Sequence, residues 1–218
     1  MHAMKKMTLI LVLMTFLTAS CNQSNRNNSD NTSVKLTDNI YGDHSDQDPI
    51  PNEALTFDAR IHFVNFTSEQ QEKMEEAIEI IKMVVATEEF RSKVLNHTYN
   101  GKKTFVDNGG YSNAQIYQII LDGAERLLPA KNNTMEAEVE LYYAATNVVG
   151  YTYASSNRIW VNTKYFNIYT AAGVAHNLFH EWMHKLGFIH DSSWSSSRDY
   201  SVPYALGDLV GEIGKEFL

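Results

Sequence analysis

His180-Glu181-Trp182-Met183-His184-Lys185-Leu186-Gly187-Phe188-Ile189-His190, followed by Asp191, is the stretch on which the reading of this chain turns. It has the form H-E-x-x-H-x-x-G-x-x-H. On a helix, His180 and His184 lie one turn apart on the same face. Two neutral imidazoles at that spacing can grip one Zn²⁺ ion. Glu181 stands beside the first ligand, where a carboxylate reaches a metal-bound water. Gly187 can adopt the left-handed conformation that ends a helix. The chain then turns back and offers His190 as a third ligand, leaving the fourth position open for water, as in catalytic zinc sites.

Over these residues the chain resembles the metzincin clan of zinc metallopeptidases, whose signature has the same five fixed positions. Asp191 after the third histidine also fits several families of the clan. The resemblance implies an α+β, zincin-type domain: a mixed twisted sheet, an active-site helix and a minimal C-terminal subdomain. It implies Zn²⁺ on His180, His184 and His190, and peptide-bond hydrolysis by a zinc-bound water that Glu181 activates. It further implies that the region Val148–Phe166 supplies an edge strand that pairs with the bound peptide, by ordinary strand addition.

The rest of the chain sets limits on this reading. Its 218 residues, 44% hydrophobic, suffice for one well-formed core. The formal net charge is -8. Setting aside residues 1–20, which hold Lys5 and Lys6 and no acid, leaves 16 basic against 26 acidic residues, a net of -10. Such a balance argues against a nucleic-acid partner, which calls for basic patches. Cys21 is the one cysteine, which excludes an intrachain disulfide and a cysteine ligand to zinc in the folded domain.

Residues 1–20 read as a secretory signal: Lys5 and Lys6, an apolar run from Met7 to Leu17, then small residues. The tail Leu17-Thr18-Ala19-Ser20-Cys21 resembles a bacterial lipobox, which implies cleavage before Cys21 and lipid attachment there. Asn22 is compatible with sorting to the outer membrane. Residues 21–50, rich in Asn, Ser and Asp, read as a flexible tether, with His44 as a solvated linker residue. The expected organisation is a signal over 1–20, a tether over 21–50 and a catalytic domain over 51–218, exported, lipid-anchored to the cell envelope and monomeric.

Within that domain the pattern predicts a strand over Ala54–Phe66, with His62 as a surface histidine. A helix is predicted from Thr67, and a short one over Thr87–Asn96. Another helix is expected from Ser112 to about Leu128, ended by Pro129. Met135 to Tyr143 alternates apolar and acidic residues and is the clearest strand. Strands are expected over Val148–Tyr153 and Arg158–Phe166, then the motif helix over Ala171–Leu186, capped by Thr170, and a final helix over Ala205–Phe217. Gly207, Gly211 and Gly214 either weaken that last helix or let it pack closely on the motif helix.

Two features complicate the metal reading. His176 lies one turn before His180, so a triad drawn from one helix is the rival ligand set. A straight helix diverges from a point ligand over two turns, which favours His190 and leaves His176 behind the ligands or in a cap. No methionine follows Met183, so the methionine turn of the metzincins is missing. Ser201-Val202-Pro203-Tyr204 stands in its place, with Pro203 expected as a rigid turn, even a cis one. Tyr204 has two readings: a donor to the oxyanion of the reaction, or a loop tyrosine packed on the core. The alternative function is a surface lipoprotein that keeps the zinc fold to bind a peptide or protein partner. Hydrolysis of a non-peptide amide would use the same groups.

Overall fold

The computed structural model describes residues 56–218. The signal and lipobox readings, the Cys21 anchor, the tether and His44 lie outside the described residues, as does the start of the first expected strand.

Strand β1 (Asp58–Val64) leads into helix α1 (Ser68–Val85). Thr67 opens α1 with a full capping box: its hydroxyl accepts from Gln70 N, and the Gln70 side chain accepts from Thr67 N. Helix α2 (Glu88–Leu95) follows, then a small hairpin of β2 (Thr98–Tyr99) and β3 (Lys102–Lys103). Helix α3 (Asn113–Asp122) begins with a second capping box, between Ser112 and Gln115. Strand β4 (Thr134–Tyr142), edge strand β5 (Gly150–Thr152) and β6 (Arg158–Asn162) come next, followed by a one-turn helix α4 (Thr163–Phe166). The motif helix α5 (Ala171–Lys185) and helix α6 (Val202–Gly214) complete the order.

The fold is mixed α+β. The four-stranded sheet has the order β1-β4-β6-β5, with β1, β4 and β6 parallel and β5 antiparallel at one edge. Alternation along β4 sets its two faces. Met135, Ala137, Val139 and Leu141 are buried, while Glu136, Glu138 and Glu140 point to the half-exposed side. There they meet Arg60, His62 and Arg158 from the neighbouring strands in a ladder of charge-assisted bonds.

Helix α5 is the axis of the core. Twelve of its fifteen residues are buried, so it is packed on all sides. It lies against α1, α6 and the β5–β6 pair. Phe57 and Phe179 pack edge-on and tilted against Trp182 at 5.7 and 5.4 Å between ring centroids. Gly207 and Gly211 bring α6 close: a Cβ at Gly207 would meet His180 Cβ at 3.0 Å, and one at Gly211 would meet His176 Cβ at 2.9 Å. Of the two readings of these glycines, close packing is the one observed.

Several expected boundaries move. Helix α3 stops at Asp122, not near Leu128, because Gly123 takes the left-handed conformation at φ 64°. The chain is then free to bring Glu125 inward. The Glu125 carboxylate accepts from Trp182 Nε1 at 2.6 Å and from Glu136 N at 2.8 Å, tying α5 to β4. Strand β6 ends at Asn162, not Phe166. The Asn162 side chain accepts from Lys164 N and donates to the Ala144 and Val148 carbonyls, which turns the backbone into α4. Pro203 is not a turn residue. It sits in the first turn of α6, where no N–H is required of it, and no described peptide bond is cis.

Burial is the main influence raising the Glu125 carboxyl, to about 7, and the two hydrogen bonds oppose it only in part. The folded protein thus holds this proton where the unfolded chain has already lost it. From the ordinary carboxyl range up to about pH 7, stability should fall as pH rises. Glu125→Gln, which keeps the acceptor oxygen, is expected to remove this slope and to be more stable than the parent at pH 8 by about 1–3 kcal/mol in urea unfolding. Gly123→Ala tests the turn. Its Cβ would lie 2.4 Å from Thr134 O, on top of a positive φ, and a loss of about 2–4 kcal/mol is expected by the same measurement.

Candidate metal centre

Thr170 caps α5, its hydroxyl accepting from Gly173 N at 3.2 Å, and the helix runs unbroken through His180 and His184. It ends in a Schellman motif. Phe188 N donates to Met183 O at 3.1 Å and Gly187 N to His184 O at 3.2 Å, with Gly187 at φ 104°. Met183 and Phe188 are both buried in the core, the apolar contact that accompanies this motif. The reversal carries His190 back alongside the helix. Ring centroids are 5.2 Å apart for His180–His184, 5.2 Å for His180–His190 and 4.9 Å for His184–His190.

One ring nitrogen from each histidine lies within 4.8 Å of the others, a cluster that could hold a metal ion. His176 is not part of it. That side chain faces α6, with Nδ1 3.5 Å from Asp208 Oδ1, so the single-helix triad is not formed. Burial holds the His176 imidazole down at about 4, which keeps it neutral.

The cluster is prepared for a cation by its hydrogen bonds. His184 Nδ1 lies 2.8 Å from Phe188 O, and His190 Nδ1 lies 2.8 Å from Asp191 O. A carbonyl only accepts, so in each neutral ring Nδ1 carries the hydrogen and Nε2 keeps a bare lone pair. Nε2 of His180, His184 and His190 are all buried and without a hydrogen-bond partner. Orphaned acceptors in an apolar interior are costly. Three that converge fit a metal ion, which needs neutral imidazoles and no competing proton. Burial is the leading cause that pushes all three rings down, His180 well below the ordinary histidine range and His184 to about 3. Asp191 itself is exposed and contributes its carbonyl.

Glu181 is fully buried beside this cluster. A methyl at Gly150 would lie 3.2 Å from Glu181 Oε1, which places the carboxylate against edge strand β5. Lys185, also buried, reaches the same hairpin. Its ammonium donates to the carbonyls of Tyr153, Ser156 and Arg158 at 3.3, 2.5 and 2.8 Å, and burial lowers it to about 8.

Tyr204 forms the other side of the cluster. Its ring centroid is 4.5 Å from that of His180 and 4.7 Å from that of His190. Tyr204 sits in the first turn of α6 rather than in a loop. Arg198 was not singled out by the sequence. It is buried, it stacks its guanidinium 4.4 Å from the Tyr204 ring centroid, and it donates to the Tyr204 hydroxyl. Set in the run Ser195-Ser196-Ser197-Arg198-Asp199, it has no apolar periodicity around it to signal burial. Ser201 is buried too, and its hydroxyl donates to Arg198 O at 2.7 Å rather than capping α6.

Compared with protein-family models, with curated proteins and with solved structures, the chain matches none.

Gly187 is the hinge of the cluster's geometry. Gly187→Ala forces a side chain into φ 104° and should open the Schellman turn that carries His190. Metal affinity of the full chain, read by competition with a chromogenic chelator, is expected to fall at least about 10-fold, with a loss of about 1–3 kcal/mol in stability.

Proposed function

We propose that this chain is a zinc-dependent endopeptidase of metzincin type. The observation that carries the reading is the convergence of three buried Nε2 atoms without hydrogen-bond partners, on His180, His184 and His190, beside the buried Glu181 carboxylate and an edge strand. The choice of zinc follows the donor set, three neutral imidazoles with a fourth position left open. Bound there, Zn²⁺ supplies Lewis-acid polarisation of the scissile carbonyl and lowers the pKa of a water molecule.

The chain's own groups do the rest. Glu181 takes a proton from the attacking water as its oxygen bonds to the carbonyl carbon. It then delivers that proton to the amine nitrogen as the C–N bond breaks. Edge strand β5 offers backbone donors and acceptors to an extended peptide, which holds the scissile bond beside Glu181. Tyr204 is assigned a hydrogen bond to the carbonyl oxygen as it gains negative charge. Its hydroxyl accepts from Arg198, which leaves its own hydrogen to donate. The substrate is a peptide or protein. The secretory signal and the lipid at Cys21 belong to the same proposal and place the enzyme on the outside of a bacterial membrane.

A buried carboxylate beside three bare imidazoles favours turnover over mere binding, since a binding module has no need of Glu181. Glu181→Gln is expected to lower turnover of a peptide library by about 10²–10⁴-fold while one zinc per chain is retained by elemental analysis. A chelator should abolish turnover in the parent and added Zn²⁺ should restore it. Unchanged turnover in Glu181→Gln sinks the enzyme reading. A parent that carries zinc yet cleaves nothing favours the peptide-binding lipoprotein instead.

A further inference from the structure

No methionine follows Met183 to pack beneath the histidine cluster. Tyr204 stands in that place, half-buried, with its ring against His180 and His190. What fixes it is Arg198. We propose that Arg198 is a positioning residue that clamps the Tyr204 ring against His180 and His190, making that ring the floor that orients both ligands. The inference rests on the metal-site reading above.

Two separate constraints run from Arg198 to Tyr204. The first is through the backbone. Arg198 O accepts both Ser201 N, at 3.0 Å, and Ser201 Oγ, at 2.7 Å. This closes a turn immediately ahead of α6 and sets where Tyr204 emerges in the first turn of that helix. Val106 N donates to Tyr200 O at 2.8 Å and pins the same turn from outside. The second is through the side chain. The guanidinium lies 4.4 Å from the Tyr204 ring centroid and also donates to its hydroxyl. A planar cation held at both the face and the oxygen of a phenol restricts rotation about both side-chain torsions. The same ring meets His180 at 4.5 Å and His190 at 4.7 Å between centroids. Of these two ligands, His180 is already carried by a buried helix. His190 lies beyond the helix end and gains most from a fixed neighbour.

The test uses the full chain and two readouts that do not involve turnover. One is zinc affinity by chelator competition. The other is the visible absorption of the cobalt-loaded protein, which reports ligand geometry. Arg198→Ala is expected to weaken zinc by about 10–100-fold and to shift the cobalt bands. In a Tyr204→Ala background the same change should cost less than about 2-fold, because the arginine acts through the ring. Arg198→Lys keeps the charge and loses the planar stack. It is expected to lie between parent and Arg198→Ala, and it carries the test if the alanine variant fails to fold. Parent-like affinity and spectrum in Arg198→Lys and Arg198→Ala overturn the inference, as does an equal loss with and without the Tyr204 ring. A parent chain that binds no zinc or cobalt overturns the metal reading itself.

Discussion

Burying a helix on every side leaves its polar groups no water, and α5 carries five of them through the core: His180, Glu181, His184 and Lys185, with the indole N–H of Trp182. Each has to find a partner within the protein or bind something from outside. Trp182 is satisfied by Glu125 and Lys185 by three carbonyls. The hydrogens on His184 and His190 are satisfied by the Phe188 and Asp191 carbonyls. Nε2 of His180, His184 and His190 have no such partner, and they converge on one place. The desolvation that makes this arrangement costly also keeps the rings neutral, which is the state a cation requires.

The surrounding fold follows from that constraint. Because α5 is surrounded, the sheet covers it from one side and α1 and α6 from others. Because α6 must approach it closely, Gly207 and Gly211 stand where side chains would collide with His180 and His176. The side of the sheet away from the helices has no such demand and carries a ladder of acids and bases instead.

Much of this was legible in the sequence. The spacing of His180, Glu181, His184, Gly187 and His190 is a local pattern, and local geometry alone forms the helix, the left-handed stop and the return. The alternation of β4 and the capping boxes at Thr67 and Ser112 are local as well. What was not legible depends on partners distant in the chain. The stretch from Asp122 to Pro129 suggested more helix, because periodicity does not report that Glu125 is wanted by Trp182 and Glu136. Pro203 suggested a turn, because a proline suits a turn and a helix's first turn equally. Neither Arg198 nor Lys185 stood out in the sequence. A charge names no face, and only the fold reveals which carbonyls or rings it will meet.

The bonds of Lys185 have a mechanical side. One ammonium, on the residue next to His184, is anchored to three carbonyls spread along the β5–β6 hairpin. Helix and hairpin are thereby riveted at a single point. The hairpin cannot lift from this end of the helix without stripping three bonds from one buried charge. Hairpin and histidine cluster are therefore held to each other as one body.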